Sequence, residues 1–162
     1  MQKTNQQDFT PQKTESKYVM EIHAPAEKVF PLLCPVREYE WIPDWDCDVL
    51  FTESGVAEDL CVFNRENKSF GKETWVCTRY EPPKLIHYTR FSQNKIVRLE
   101  IQWLGGDQQA SKWEWKTVCI SLDESGDKQI ENYRKTDALK IAKGLEYMLE
   151  HFVTRGEMLH IH

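Results

Sequence analysis

The side chains of this 162-residue chain best suited to chemistry are five histidines, a run of alternating aspartates, five cysteines and a few arginines set among aromatic residues. Imidazole titrates near neutral pH, so His87 in the stretch Leu85–Phe91 is a candidate base. It stands next to Tyr88, and adjacent residues of a strand point to opposite faces. An inward Tyr88 therefore implies an outward His87. His23 and His151 read as surface or capping groups, and His160 and His162 as a frayed end able to chelate only adventitious metal. Asp44, Asp46 and Asp48 imitate the first ligands of a calcium loop, but Val49 and Gly55 occupy the positions that need glycine and a carboxylate. The reading is a solvated bend with no metal. Arg79 and Arg90 are possible bidentate donors to a ligand carboxylate, against the plainer reading of surface arginines.

Cys34, Cys47, Cys61, Cys77 and Cys119 are odd in number, widely spaced and free of any C-x-x-C pair. They are expected to be free thiols in a reducing, cytoplasmic setting. No phosphate loop, dinucleotide fingerprint, H-E-x-x-H or G-x-S-x-G motif occurs, so nothing calls for a cofactor. A formal charge of −5, from 21 basic and 26 acidic side chains, argues against nucleic acid as a partner. No apolar run approaches the roughly 18 residues of a membrane span, so stable membrane insertion is not expected. The protein partner, if any, is not legible.

The elements that must position these groups follow from periodicity. Residues 1–17 are polar, with Phe9 their one large hydrophobe, and read as a flexible tail. A single domain is expected over 18–159, opening on a strand at Tyr18–Ile22. Ala24-Pro25-Ala26-Glu27 suits a first helical turn, and Pro31 and Pro35 keep that helix short. Trp41 and Trp45 then flank a bend. From Val49 to Leu122, six segments rich in β-branched and aromatic residues alternate with turn chemistry at Gly55, Asn67–Ser69, Pro82-Pro83, Gln93-Asn94, Gly105-Gly106 and Ser125-Gly126. Connections this short predict an antiparallel meander. Val97, Leu99, Ile101 and Trp103 share one face of their strand, and Trp113 and Trp115 share a face with Thr117 and Cys119. Between about Asp127 and Thr154, apolar residues recur at helical spacing, with Asp127 as N-cap and Gly156 as stop. Gly144 inside that helix suggests close packing against the sheet.

The stretches APAEKVFPLLCPVREYEWIPDW and ETWVCTRYEPPKLIHYTR, with the amphipathic helix ending in TRGEML, resemble the START-like superfamily, also called SRPBCC or Bet v 1-like. Within it the likeness is to small bacterial and archaeal proteins grouped with polyketide cyclases and dehydratases. The resemblance covers Tyr18–Leu159. It implies an α+β helix-grip fold: a curved antiparallel sheet wrapped around a long C-terminal helix, with two short helices near the N-terminus. Trp41 and Trp45 match a double-tryptophan motif, although Asp44 replaces the expected glycine, and Arg37-Glu38 matches a position where a structural ion pair or cap is expected. The implied function is binding of a small hydrophobic or aromatic, lipid-like or polyketide-like ligand between sheet and helix. Candidate ligand-binding residues are Trp41, Trp45, Phe63, Trp75, Tyr88, Trp103, Trp113, Trp115, Met148 and Phe152. Each ring taken alone is equally a core plug; six tryptophans in one modest domain argue for the set. The alternatives are a polyketide cyclase or dehydratase-like enzyme whose catalytic residue the sequence does not identify, and a protein-interaction module related to chaperone activators.

Overall fold

Alternating apolar residues and short turns fold 13–121 into seven strands: β1 (Lys13–Ile22), β2 (Asp48–Phe51), β3 (Val62–Asn67), β4 (Gly71–Glu81), β5 (Leu85–Phe91), β6 (Lys95–Gly106) and β7 (Ser111–Ser121). In this computed structural model, which describes residues 8–160, they form one antiparallel sheet in the order β1-β7-β6-β5-β4-β3-β2. The meander is complete from β2 to β7, and β1 closes against β7. Register shifts between Val49 and Phe51, Cys77 and Arg79, and Trp103 and Gly105 mark three bulges. Each inserts an extra residue, bends its strand and increases twist, which curves the sheet.

Between β1 and β2 lie a one-turn helix, α1 (Ala26–Val29), and two 3-10 turns, Phe30–Leu33 and Glu38–Glu40. After β7 come α2 (Glu124–Asn132), a π turn (Tyr133–Asp137) and α3 (Ala138–Arg155), one continuous helical run. Gly156 ends it in the left-handed conformation at φ 74°. This is the helix-grip arrangement.

The helical run is fastened at its two ends. At the start, Ile130 packs with Phe70, Val97 and Cys119. Beside it the fully buried Lys95 ammonium donates to the Phe70 carbonyl at 3.0 Å and to Gln129 Oε1 at 2.9 Å. At the far end Leu149 and Val153 are buried against the main core. There Glu146 and Glu150 also reach edge strand β1, accepting from the Glu21 and His23 amides at 3.3 and 2.9 Å. Four helical residues advance about 6 Å and two strand residues about 6.8 Å, so the two carboxylates match alternate amides of the edge. They cap donors that would otherwise invite another strand.

Several expectations need correction. Strand β1 starts at Lys13, so 13–17 belong to the sheet; of the expected tail, 1–7 lie outside the described residues. Asp123, not Asp127, is the N-cap, accepting from the Gly126 amide at 2.9 Å. Gly126 accordingly sits in the first turn of α2, where an added Cβ would fall 2.0 Å from the Asn94 carbonyl oxygen. Gly105 and Gly106 belong to β6. Gly144 is not packed closely: a Cβ there meets nothing within 4 Å. Gly144→Ala should therefore stabilise the protein by about 1 kcal/mol, raising the melting midpoint by roughly 2–4 °C in a thermal melt.

Candidate functional site

Because the helical run is held at both ends, its middle bridges over the concave sheet, and a cavity of about 560 Å³ lies beneath it. Its roof is Tyr133, Arg134 and the first half of α3, from Ala138 to Leu145. Its floor comes from alternate residues of neighbouring strands: Phe63 and Arg65 on β3, Trp75 on β4, Tyr88 and Arg90 on β5, Leu99 and Ile101 on β6, Trp115 and Thr117 on β7. The exposed Lys17, Lys68, Arg134 and Leu139 mark its mouth. The π turn places Tyr133 against Phe70 with ring centroids 4.7 Å apart, and Asp137 accepts from Ser69 Oγ at 3.1 Å. The roof is thus tied to the β3–β4 hairpin.

The end wall is the segment between α1 and β2, pinned by ring donors to backbone carbonyls. Trp41 Nε1 donates to Leu32 O at 2.8 Å, the Tyr88 hydroxyl to Leu33 O at 2.8 Å, and Trp45 Nε1 to Pro35 O at 2.9 Å. Asp44 adopts φ 59°, the left-handed conformation that glycine would supply, so the double-tryptophan bend keeps its shape with aspartate in that place. This segment presents Glu38, Ile42 and Trp45 to the cavity.

Five of the expected ligand residues, Trp45, Phe63, Trp75, Tyr88 and Trp115, stand on the cavity wall. The other five do not. Trp41 and Trp113 are wholly buried core residues with satisfied indole N–H groups, Trp113 donating to Ser111 Oγ at 2.8 Å. Trp103 lies towards the end of β6 with Lys84 over its ring. Met148 and Phe152 sit where α3 has closed onto the core, beyond the cavity's end. Their helical spacing identified an apolar stripe correctly but could not say where along it the helix lifts from the sheet.

Of the candidate arginines, Arg79 pairs with Glu81 on the surface. Arg90 is buried and lines the cavity, but its guanidinium is occupied by Glu73 at 2.6 Å and lies 4.2 Å above the Trp75 ring. His87 faces away from Tyr88, 3.7 Å from Glu100, and burial lowers its pKa. Asp44, Asp46 and Asp48 are exposed, with Asp46 accepting from the Tyr39 hydroxyl. Among the described residues no three potential metal ligands converge. His162 lies outside them.

Two polar residues of the wall were not singled out as ligand contacts. Arg37 pairs with Glu40, not with its neighbour Glu38. Glu38 instead faces the cavity and is half-buried. Burial pushes its pKa up to about 8, with only the charge of Arg65 opposing the rise. Arg65 lies 4.1 Å from the Trp45 ring, and its Nε has no hydrogen-bond partner. Strand alternation carried a signal for it, since Arg65 is two residues from Phe63 on the same face. Glu38, in an irregular turn, had no such signal.

Similar chains are known among solved structures. A norcoclaurine synthase from Thalictrum flavum, a point mutant in complex with a transition-state analogue, is 5% identical with a TM-score of 0.66, over 92% of this chain and 99% of that one. The Zhui aromatase/cyclase from Streptomyces sp. R1128 is 12% identical with a TM-score of 0.67, over 91% and 100%. CalU16 from Micromonospora echinospora is 12% identical with a TM-score of 0.56, over 92% and 86%. No family model matches the sequence, and neither does any curated protein. At these identities the likeness is one of fold: the chain shares with these structures a curved antiparallel sheet gripping a long C-terminal helix.

Glu38 also makes a stability prediction. With its pKa raised from 4.5 to about 8 on folding, the folded state holds one extra proton between those values. The stability Glu38 confers is complete below pH 4.5 and falls as pH rises towards 8, at up to about 1.4 kcal/mol per pH unit. Denaturant melts of Glu38→Gln should lack this component of the decline that wild type displays.

Proposed function

We propose that this protein binds a small hydrophobic or aromatic molecule in the cavity between the sheet and the first half of α3. The observation that carries the reading is a cavity of about 560 Å³, open at one mouth and walled by Phe63, Trp75, Tyr88, Trp115 and Leu145. That volume falls in the range of small-molecule sites. Burial of apolar ligand surface supplies the affinity, at about 25 cal/mol per Å² before ordering costs. The few polar groups of the wall set orientation. Similarity of fold to enzymes crystallised with small aromatic molecules, such as a norcoclaurine synthase with dopamine and hydroxybenzaldehyde, supports the same reading. A cytoplasmic setting remains part of the proposal and rests on the five free cysteines.

A second reading is favoured by Glu38. A carboxyl with a pKa of about 8 in a largely apolar cavity is suited to proton transfer near neutral pH, as a cyclisation or dehydration requires. In that reading the aromatic walls fold a reactive chain into one conformation, and Glu38 gives or takes the proton.

The two readings have separate tests. Nile red should gain fluorescence on binding wild type, and Ala142→Trp, which fills the cavity from its roof, should abolish the gain while keeping a cooperative melt; unchanged binding would sink the cavity reading. For proton transfer, deuterium exchange at the central carbon of 1-phenyl-1,3-butanedione should be accelerated by wild type, increasingly as pH passes about 8, and not by Glu38→Gln. Equal rates with the two proteins would remove Glu38 from any such chemistry.

A further inference from the structure

We infer that the ligand's apolar body carries an oxyanion, a carboxylate or phenolate, seated on Arg65 at the β3–β4 side of the cavity. This rests on the cavity being a ligand site, and it adds the ligand's charge and the end at which that charge lies.

Buried donors without partners gather at the cavity wall. Trp41, Trp45 and Trp113 all hand their indole N–H to an oxygen at 2.8–2.9 Å. Trp75 and Trp115, both more than nine-tenths buried and both on the cavity wall, hand theirs to nothing. Buried donors without acceptors are costly and uncommon. Arg65 adds a third, its Nε. Among the described residues the other buried side-chain atoms without partners are Thr14 Oγ1 and Trp103 Nε1, so three of the five such atoms belong to residues of this one wall.

Charge points the same way. The two wall arginines differ: Arg90 is neutralised by Glu73, whereas no carboxylate among the described residues lies within salt-bridge distance of Arg65. Burial already lowers the Arg65 pKa, the mark of a cation short of solvation. Glu38, the carboxyl on the opposing wall segment, is largely protonated at neutral pH and acts there as a further donor. At the mouth Lys17, Lys68 and Arg134 face the single acid Glu15. A protein with net charge −5 thus concentrates positive charge around one apolar cavity, the arrangement that attracts and retains an anion.

Register fixes the end. Phe63 is opposite Trp75 and Arg65 is opposite Glu73, making Arg65 and Trp75 diagonal neighbours on one face, so an anion on the Arg65 guanidinium lies beside the Trp75 ring.

The test uses the full chain and three isosteric probes, 2-naphthoate, 2-naphthamide and 2-naphthylmethylammonium, titrated at pH 7 by calorimetry. Naphthoate should bind at least about tenfold more tightly than naphthamide, and the ammonium most weakly. Arg65→Met should erase the naphthoate advantage and leave naphthamide affinity unchanged, and Arg65→Lys should restore part of it. Equal affinities of wild type for naphthoate and naphthamide would overturn the inference while leaving the cavity reading in place, and this comparison needs no variant to fold. Failure of all three probes, with Nile red also unbound, would overturn the cavity reading and this inference together.

Discussion

The structure depends on how the C-terminal helical run is attached to the sheet: into the core at both ends, and between them only to the rim, at the β3–β4 hairpin. At the start, Ile130, Gln129 and the buried Lys95 lock α2 to the sheet. At the end, Leu149 and Val153 enter the main core, while Glu146 and Glu150 cap amides of the edge strand. A helical run fixed at two points across a concave surface leaves space beneath its middle. The bulges that curve the sheet therefore create the cavity as directly as any residue lining it. The π turn stands where α2 must change course to become α3, and it puts Tyr133 and Arg134 into the roof. Such turns often accompany functional sites because they reposition side chains that a regular helix would send elsewhere.

Within that space the polar groups fall into two sorts. Glu73, Arg90 and Asn67 satisfy one another, with Asn67 donating to Glu73 at 2.9 Å. They form a closed network that gives the β3–β5 region a fixed geometry at little electrostatic cost. Arg65, Trp75 and Trp115 each carry a buried N–H left without a partner. A protein that only needed a stable core would place apolar groups at those positions, since unmet buried donors cost free energy. Their concentration on one wall, beside an arginine without an ion pair, sets this surface apart from the closed network next to it.

Much of this was legible in the chain. Period-two alternation located the strands and their inner faces, short turns made the sheet antiparallel, and the 3.6-residue stripe found the terminal helix. That His87 points outward once Tyr88 points inward followed from adjacency. Arg65 and Arg90 were within reach of the same logic, each two residues from an inward aromatic ring. Other features had no local signature. The left-handed Asp44 filled a role expected of glycine, and Glu38 occupies a 3-10 turn where no periodicity tells inside from outside. Trp41 and Trp45 looked equivalent in sequence, yet one is core and the other borders the cavity.

The sequence by itself determined the elements, their antiparallel order and which side of each strand is apolar, because those depend on backbone sterics and the periodicity of neighbouring residues. Only the tertiary structure decided which apolar residues touch one another and which face empty space. That distinction turns on where a curved sheet and a bridging helix part company, and on whether a distant residue supplies a partner, as Glu73 does for Arg90 and none does for Arg65 among the described residues. Both are relations between residues far apart in the chain, which no local pattern encodes.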